Sequence, residues 1–415
     1  MAEPLLLGLD LGTTRTKAVL VDARGRQVRA MAAPTPFVRG EGGVEMDVGA
    51  LLVTARRVVA GLGADRDRVA AVGIAGMAEC GAPLDRSGRP LAPVIGWHDG
   101  RGQEAIDRLE REFGGGLADR VGQPLRTVMT VAKLGWLVEH GVGPVHRWLG
   151  VPELVLHALT GADATEFSLA ARTGCYDVGE RRWIPEVAGA LGFGIGVFPP
   201  VQGAGTVMGR VSPAGSAWSG LPVGIPVTIA GHDHLAGLAG AGVGASEVAN
   251  SVGTAETLVA RAAALPDVAA AAPLRVAVTV LPGGRQWAAL VSAARSGIVI
   301  EAAGGAEAVD AASLVDSLIA GRVVELPDAP AGAVWAGLLA ALAARTAHAY
   351  RRLEQVVGPA RGVVVFGGGS VSRPWLAAKA AALPLPVRRS PVASAVGAGA
   401  ARGAAMAAGW RPPSS

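Results

Sequence analysis

The sequence predicts an α/β fold built from two related lobes. Along most of its 415 residues, segments typical of buried strands alternate with segments of helical spacing, which is the pattern of layered α/β proteins. Two hairpins of one design, each with a Gly-Thr turn between apolar strands, occur at 5–22 and 248–259. Such repetition indicates a duplicated architecture, and a third glycine cluster follows another apolar strand at 367–369.

The individual elements follow from hydrophobic spacing and from turn residues. Strands are expected at 69–74, which stops at Gly76, and at 227–230, with a hairpin turn at 22–25. Helices are expected over 50–62, 102–113, most of 127–160, 333–355 and 395–408.

The first hairpin carries residue types that suit phosphate and metal binding. An apolar strand ends in an acidic residue, a Gly-Thr-Thr turn follows, and a second apolar strand leaves the turn. Backbone N–H groups and hydroxyls in such turns bind phosphate oxygens, and a carboxylate beside them suits Mg²⁺. An ordinary hairpin with a glycine-rich tip is the alternative. The candidate ligands here are Asp10, Gly12, Thr13, Thr14 and Lys17.

The other two glycine turns extend this pattern. Gly253 and Thr254 repeat the Gly-Thr turn in the second hairpin. In the third cluster, three glycines (367–369) end a strand, and a helix is predicted to begin near Ser372 because Pro374 suits a first helical turn. Glycines Gly367, Gly368 and Gly369 would let the backbone approach a flat ring or a ribose closely. Read alone, this segment favours a tight strand-to-helix turn.

In their joint order these motifs resemble those of the FGGY carbohydrate kinases, within the actin/hexokinase/Hsp70-like ATPase superfamily. The resemblance implies two RNase H-like (actin-like ATPase) domains with a nucleotide and sugar cleft between them, and ATP and Mg²⁺ as cofactors. It places an N-terminal sugar-binding and catalytic domain at 1–244 and a C-terminal nucleotide-binding domain at 245–415. The matching segments are 7–22, 72–101, 148–177, 229–244, 251–257 and 363–370.

The candidate catalytic base is Asp233, which follows a strand and opens a helix of small residues. A carboxylate there is favoured by the free N–H groups, so a plain N-cap is the alternative, and the two roles are compatible. The resemblance places the family's catalytic aspartate at this position, and it makes Asp10 and Asp233 the candidate metal ligands. The flanking His232 and His234 are expected to point apart and to shape the sugar pocket, not to bind zinc.

Candidate sugar contacts lie in two segments. Some family members carry an acidic residue that binds polyol hydroxyls at the position of Glu79, but glycerol kinases have an arginine where this chain has Ala78. Xylulokinases show a Met-His pair near Met77, which here lacks the histidine. The segment 97–101 matches a Trp-x-Asp-x-Arg element, with a local salt bridge as the alternative reading. The candidate substrate residues are Met77, Glu79, Trp97, His98, Asp99, Arg101 and His232.

Two departures from the family pattern bear on activity. A Pro-x-x-x-Gly-Glu-Arg-x-Pro element is usual between the second hairpin and the adenosine motif, but 321–334 takes its place within a short 281–335 interval. A glutamate often seen before the C-terminal Ala-Leu-Gly-Ala turn is also missing, with 392–397 in its place. The alternative prediction is therefore a catalytically degenerate member that binds sugar or nucleotide as a regulator.

Composition favours one cytoplasmic enzyme. The formal charge is only +4, and no basic run interleaved with aromatic residues suggests nucleic-acid binding. The two cysteines, Cys80 and Cys175, have no metal spacing, and long uncharged stretches are broken by Gly and Pro, so no membrane span is expected. Whether the chain forms a homodimer is left open.

Together these features predict ATP-dependent phosphorylation of a small sugar or polyol. Glu79 and the segment 97–101 favour an open-chain acceptor, such as xylulose, ribulose or a polyol, and Ala78 argues against glycerol. An ATPase of the actin or Hsp70 type is less consistent, because these residues would have no role in it.

Overall fold

The computed structural model describes residues 3–40, 42–294, 296 and 331–410, and for 331–335 it describes the backbone alone. Part of the 281–335 interval, including residues 321–330 of the segment that replaces the usual family element, lies outside the described residues. Within the described ranges, no helix is both long and apolar enough to cross a bilayer.

The strands are short and mostly buried. Those of the N-terminal part are β1 (Leu5–Leu11), β2 (Arg15–Val21), β3 (Gln27–Pro34), β4 (Val38–Gly40), β5 (Gly43–Met46), β6 (Val69–Gly76), β7 (Gly81–Leu84), β8 (Val94–Ile95), β9 (Arg147–Gly150), β10 (Thr165–Glu166), β11 (Tyr176–Asp177), β12 (Arg182–Trp183), β13 (Val201–Gln202), β14 (Gly209–Arg210) and β15 (Pro226–His232). Those of the C-terminal part are β16 (Glu247–Val252), β17 (Glu256–Ala262), β18 (Ala277–Val280), β19 (Trp287–Ala294), β20 (Gly362–Phe366) and β21 (Val387–Arg389).

The helices alternate with these strands and cover the sheets. In chain order they are α1 (Val48–Ala60), α2 (Gln103–Phe113), α3 (Gly115–Val121), α4 (Thr130–Glu139), α5 (Val151–Thr160), α6 (Phe167–Ala170), α7 (Pro185–Ala190), α8 (Pro213–Ser219), α9 (Asp233–Gly240), α10 (Val268–Ala271), α11 (Ala331–Val357), α12 (Arg373–Ala382) and α13 (Ala395–Ala407).

Two six-stranded sheets repeat one pattern, which confirms the predicted α/β class and explains the two similar hairpins. The first has the order β14-β15-β6-β1-β2-β3, and the second has the order β18-β19-β17-β16-β20-β21. In the first sheet, β1 pairs antiparallel with β2 and parallel with β6. In the second, β16 pairs antiparallel with β17 and parallel with β20. The predicted domain boundary near residue 245 falls just before β16 and stays a prediction.

Helix α13 lies against both halves of the molecule at backbone contact distance. A Cβ atom added to Gly8 of β1 would lie 1.9 Å from the carbonyl oxygen of Gly397. One added to Gly240 of α9 would lie 1.9 Å from the carbonyl oxygen of Ala395. The small residues of α13 therefore let one helix pack directly on the first sheet and on the helix that begins at Asp233.

Most predicted elements occur within a few residues of their expected bounds. The segment 127–160 is mostly helical, as expected, but β9 interrupts it between α4 and α5. This strand pairs antiparallel with β7 and extends a third sheet, of order β4-β5-β8-β7-β9. The apolar residues of 147–150 thus pack as a sheet edge, which hydrophobic spacing alone does not distinguish from a helix.

Candidate active site

A cleft of about 1110 Å³ opens between the turns that follow β1, β6, β15, β16 and β20. Its wall includes residues from both six-stranded sheets. The sequence-predicted residues on this wall are Asp10, Gly12, Thr13, Thr14, Lys17, Met77, Glu79, Trp97, His98, Asp99, His232, Asp233, Gly253, Thr254, Gly367, Gly368 and Gly369.

The two Gly-Thr turns meet across the cleft. The hydroxyl oxygens of Thr14 and Thr254 lie 2.6 Å apart, although 240 residues separate them in the chain. Each turn is closed by a backbone hydrogen bond, from Gly12 N to Arg15 O at 3.2 Å and from Gly253 N to the carbonyl two residues later at 3.0 Å. Hydroxyls and backbone N–H groups from two lobes therefore converge on one region, as binding of a polyphosphate requires.

Asp10 lies at the buried end of β1 beside this region. Its partner in the sheet register is Lys17, whose Nζ lies 3.1 Å from the carboxylate. Burial raises the pKa of Asp10, Lys17 lowers it, and the charge of Asp233 raises it. The carboxylates of Asp10 and Asp233 therefore repel each other across the cleft, and a divalent cation bound between them would relieve this repulsion.

Asp233 follows β15 and is the first residue of α9, so the alternative reading of Asp233 as a plain N-cap does not hold. His232 is the cap residue, with extended backbone (ψ 134°) and no capping bond from its side chain. The chain remains a strand through His232, because β15 pairs with β6 up to that residue. The Asp233 carboxylate accepts a hydrogen bond from His234 N at 2.6 Å, and its side chain is 21% exposed, which leaves it accessible from the cleft.

The expectation that His232 and His234 point apart is also wrong. Their rings meet edge to face at 5.1 Å, and one ligand atom from each of these two histidines and Asp233 lies within 4.8 Å of the others. His234 is bound by Ser251, with Nδ1 2.9 Å from its hydroxyl. Burial, with the nearby His234 and Arg172, lowers the pKa of His232 well below its usual range, so this ring is neutral.

A buried carboxyl group that the sequence reasoning missed supports the turn before Asp233. Gly231 has φ 109°, and the next amide, His232 N, donates to Ser168 Oγ at 2.9 Å. Ser168 Oγ donates in turn to Glu166 Oε2 at 2.5 Å, while Glu166 Oε1 accepts from Gly283 N at 3.0 Å. Burial raises the pKa of Glu166 to about 7. This carboxyl group thus ties the turn before Asp233 to the loop between β18 and β19.

At the sugar end, Glu79 is held by an arginine that was not predicted. Glu79 has a left-handed backbone (φ 68°), which is strained for a residue with a side chain. Its Oε1 accepts from Arg172 Nη2 at 2.5 Å, and Arg172 Nη1 donates to Gln123 Oε1 at 2.8 Å. Arg172 lies in the family-like segment 148–177, but no spacing rule links it to a residue 93 positions away.

The Trp-x-Asp-x-Arg element divides between two roles. Trp97 Nε1 donates to Thr13 Oγ1 at 2.9 Å, so the indole joins the sugar end to the first phosphate turn. Asp99 accepts from Arg101 at 2.9 Å and from Val44 N at 2.7 Å. Arg101 also donates to Glu45 at 2.6 Å, and within the described residues it does not reach the cleft wall. The local salt bridge, the alternative reading of this element, is therefore present.

The glycine turn at 367–369 forms the other end of the cleft. A Cβ atom on Gly368 would meet nothing within 4 Å, which leaves an open backbone surface for a flat ring. Gly367 (φ 98°) packs against Val252, where a side chain would clash with backbone at 2.5 Å. Trp375 lines the same region, and its buried Nε1 has no hydrogen-bond partner among the described residues. The turn thus leaves room for a flat ring beside Gly368, and Trp375 is a lining residue that the sequence did not reveal.

A buried ion pair anchors the second phosphate turn from behind. Glu256, which begins β17, is fully buried and accepts from Lys379 Nζ of α12. Its Oε1 also accepts from Thr346 at 2.7 Å and Asn250 at 3.1 Å, and its Oε2 accepts from Ser296 at 2.6 Å. These bonds join the hairpin β16–β17 to α11 and α12.

The chain is similar in sequence to known carbohydrate kinases. The profile described as the FGGY family of carbohydrate kinases, N-terminal domain, matches residues 5–240. An L-fuculokinase of Escherichia coli is 30% identical over 274 residues, which cover 63% of this chain and 58% of that one. A xylulose kinase of Streptomyces rubiginosus is 31% identical over 265 residues, which cover 62% of this chain and 54% of that one. The chain thus spans less than two thirds of these curated relatives.

Solved structures share the fold over nearly the whole chain. The xylulose kinase from Rhodospirillum rubrum superposes with a TM-score of 0.79 at 24% identity, covering 97% of this chain and 90% of that one. The Plasmodium falciparum glycerol kinase with ADP superposes with a TM-score of 0.80 at 15% identity, covering 98% and 90%. At these identities the similarity establishes a shared fold.

Proposed function

The chain belongs to the FGGY family of carbohydrate kinases, and from that premise we propose that it transfers the γ-phosphoryl group of ATP to a hydroxyl of a small open-chain sugar or polyol. The observation that carries this proposal is the meeting of the Thr14 and Thr254 turns at 2.6 Å, with Asp233 on the same cleft wall. The domain roles predicted from the sequence, sugar binding and catalysis in 1–244 and nucleotide binding in 245–415, are part of the proposal.

Asp233 is the proposed general base. Its carboxylate accepts the proton of the acceptor hydroxyl while that oxygen forms its bond to the γ-phosphorus, and the bond from phosphorus to the β,γ-bridging oxygen breaks to release ADP. Neutral His232, with Nε2 3.2 Å from the Asp233 carboxylate, orients this base without adding charge. Mg²⁺ held by Asp10 and Asp233 would neutralise charge that develops on the phosphate oxygens.

The remaining wall residues position the two substrates. The turns at Thr13–Thr14 and Gly253–Thr254 hold the phosphates, and the turn at 367–369 with Trp375 holds the adenosine. Trp97, which bonds to Thr13, offers its ring to the apolar face of the acceptor and links acceptor binding to phosphate binding.

Open-chain acceptors fit the sugar end of the cleft. Arg172 binds one carboxylate oxygen of Glu79, Oε1. The other oxygen, Oε2, can accept hydrogen bonds from hydroxyl groups of the sugar. Relatives named L-fuculokinase, xylulose kinase and glycerol kinase suggest acceptors that include ketoses and polyols. A pentulose such as xylulose or ribulose, or a polyol, remains the sequence-based prediction, with glycerol disfavoured by Ala78. A cytoplasmic location is likewise proposed from the sequence alone.

A coupled ADP-release assay with pentuloses, hexonates, tetritols and glycerol tests the proposed function. Acceptor-dependent ADP release supports a kinase, and acceptor-independent release indicates an ATPase. Acceptor binding without release would support the alternative, a degenerate regulator, which is motivated by the unusual 321–334 segment. The matched control is Asp233→Asn, which keeps the shape of the side chain but cannot accept the proton at neutral pH.

A further inference from the structure

The carboxylates on the cleft wall are nearly all neutralised by partners within the protein. Asp10 pairs with Lys17 at 3.1 Å, and Asp99 pairs with Arg101 at 2.9 Å. Glu79 pairs with Arg172 at 2.5 Å. Among the described acidic residues that line the cleft, only Asp233 lacks a lysine or arginine partner, as a general base must.

Several arginines on the same wall form no ion pair with a carboxylate of the described residues, and Arg126 and Arg275 are two of them. Arg126 makes one long contact, from Nη2 to Gln123 Oε1 at 3.4 Å, and that oxygen already accepts from Arg172 at 2.8 Å. The side chain of Arg275, a residue with left-handed backbone (φ 53°), forms no hydrogen bond or ion pair with any residue that the structure describes. Both side chains are exposed at the cleft, so each guanidinium is available to a ligand.

Arg126 and Arg275 come from opposite lobes and lie close together where the segments around Gly122 and Val278 meet, a region called the seam below. Val278 N, three residues after Arg275, donates to Gly122 O at 2.7 Å, which brings the loop of Arg126 against β18. Desolvation first, and then the positive charges of Arg172 and Arg275, lower the pKa of Arg126. Glu79, which already pairs with Arg172, raises this pKa, but the net direction is downward, so the positive charges that converge here are not fully compensated.

Arg172 relates this seam to the catalytic base. Its Nη1 shares the Gln123 oxygen with Arg126, and its positive charge also lowers the pKa of His232, next to Asp233. The Glu79–Arg172 pair therefore lies between the seam and the base. An acceptor whose reacting hydroxyl is at Asp233 would extend past Glu79 and end at Arg126 and Arg275.

We propose that the acceptor is an anionic open-chain sugar, a sugar acid whose terminal carboxylate is bound jointly by Arg126 and Arg275. The inference rests on the proposed function and narrows its substrate class. Guanidinium groups bind carboxylates through paired N–H donors, which gives both affinity and orientation. The neutral pentuloses predicted from the sequence leave both arginines unpaired and are poorer acceptors than the corresponding acids.

The first experiment compares anionic and neutral acceptors of five or six carbons in the ADP-release assay. Xylonate and gluconate are tested against xylulose, ribulose and xylitol, with xylulose 5-phosphate as an arm for a terminal phosphate. We expect the highest kcat/KM with an aldonate. A higher kcat/KM with a neutral ketose or polyol would overturn the inference while leaving the proposed kinase intact, and a preference for the sugar phosphate would overturn the assignment to a carboxylate.

The second experiment tests the two arginines directly. Arg126→Gln and Arg275→Gln should each raise KM for the aldonate by about 10- to 100-fold, because a charge-assisted hydrogen bond is lost, and raise KM for ATP far less. Arg126→Lys keeps the positive charge but not the paired N–H donors of the guanidinium group, so it should recover part of the lost affinity for the aldonate. Arg111→Gln, on the exposed face of α2, is the matched control. A rise in KM for ATP alone would assign these arginines to the nucleotide and overturn the inference.

Calorimetry separates failure of this inference from failure of the proposed function. Gluconate and xylitol are titrated into the Asp233→Asn protein with a non-hydrolysable ATP analogue present. Tighter binding of gluconate, weakened by Arg126→Gln, supports the inference even if no acceptor releases ADP. Equal or weaker binding of gluconate overturns it whatever the kinase assay shows.

Discussion

The buried pair of Glu256 and Lys379 offers a test of how the second phosphate turn is held. Glu256 is fully buried and Lys379 is 1% exposed, so neither charge can turn to water if its partner is lost. Desolvation lowers the pKa of Lys379, and Glu256 raises it. Lys379→Met would leave the Glu256 carboxylate with only the neutral donors of Asn250, Ser296 and Thr346.

We expect Lys379→Met to lower the free energy of unfolding by about 3–5 kcal/mol, the usual cost of leaving one member of a buried ion pair uncompensated. For a lobe of this size, that loss lowers the melting temperature by about 10 °C. A double variant tests the same explanation. In Glu256→Gln/Lys379→Met the buried charge is removed together with its partner. The amide oxygen can still accept from Asn250 and Thr346, and the amide NH2 can donate to the Ser296 hydroxyl, so most of the lost stability should return.

Differential scanning fluorimetry and KM for ATP are the measurements. Because Glu256 begins β17 directly after the Gly253–Thr254 turn, Lys379→Met should also raise KM for ATP, and the double variant should restore it in part. The reasoning would be refuted by a Lys379→Met protein that melts within 1–2 °C of the parent, which is about the assay's resolution and far below the predicted shift. It would equally be refuted by a double variant no more stable than Lys379→Met.

The other predictions concern the base, the pH response, the packing of α13 and closure of the cleft. Asp233→Asn should lower kcat by about 10²- to 10⁴-fold with ADP affinity, measured calorimetrically, near that of the parent; parental turnover would remove Asp233 from the mechanism. Because burial raises the pKa of Glu166 to about 7, the folded state retains this proton over the range where the unfolded chain has released it. Stability should therefore fall as the pH rises from about 4.5 to 7 and then level off, and Glu166→Gln should flatten that slope in melting curves; an unchanged slope would contradict this. Gly8→Ala should sharply reduce the yield of folded protein, since its Cβ would lie 1.9 Å from Gly397 O, while Gly40→Ala, with nothing within 4 Å, should not. With nucleotide and acceptor both saturating, the radius of gyration in solution scattering should decrease as the lobes close, and no change would count against hinge closure.

The fold was largely predictable because its signals are local. Strand–turn–strand segments, the alternation of strands with helices, and the glycine turn before α12 depend on residues close together in the chain. Sheet pairing with distant strands decided the details, because it interrupts the helical segment 127–160 at β9 and excludes the N-cap reading of Asp233. The pairing of β15 with β6, for example, keeps His232 extended and moves the helix start to Asp233.

By itself, the sequence determined the Gly-Thr turns, the glycine turn and the position of Asp233 after a buried strand, because each depends on backbone preferences over a few residues. Only the tertiary structure decided which charges are neutralised. Glu79 meets Arg172 across 93 residues, and Glu256 meets Lys379 across 123. A charged side chain interacts through space with the groups that pack beside it, and the number of residues between two side chains does not determine the distance between them in the fold. The same physics leaves the side chains of Arg126 and Arg275 on the cleft wall without a carboxylate partner among the described residues, where a ligand can reach them.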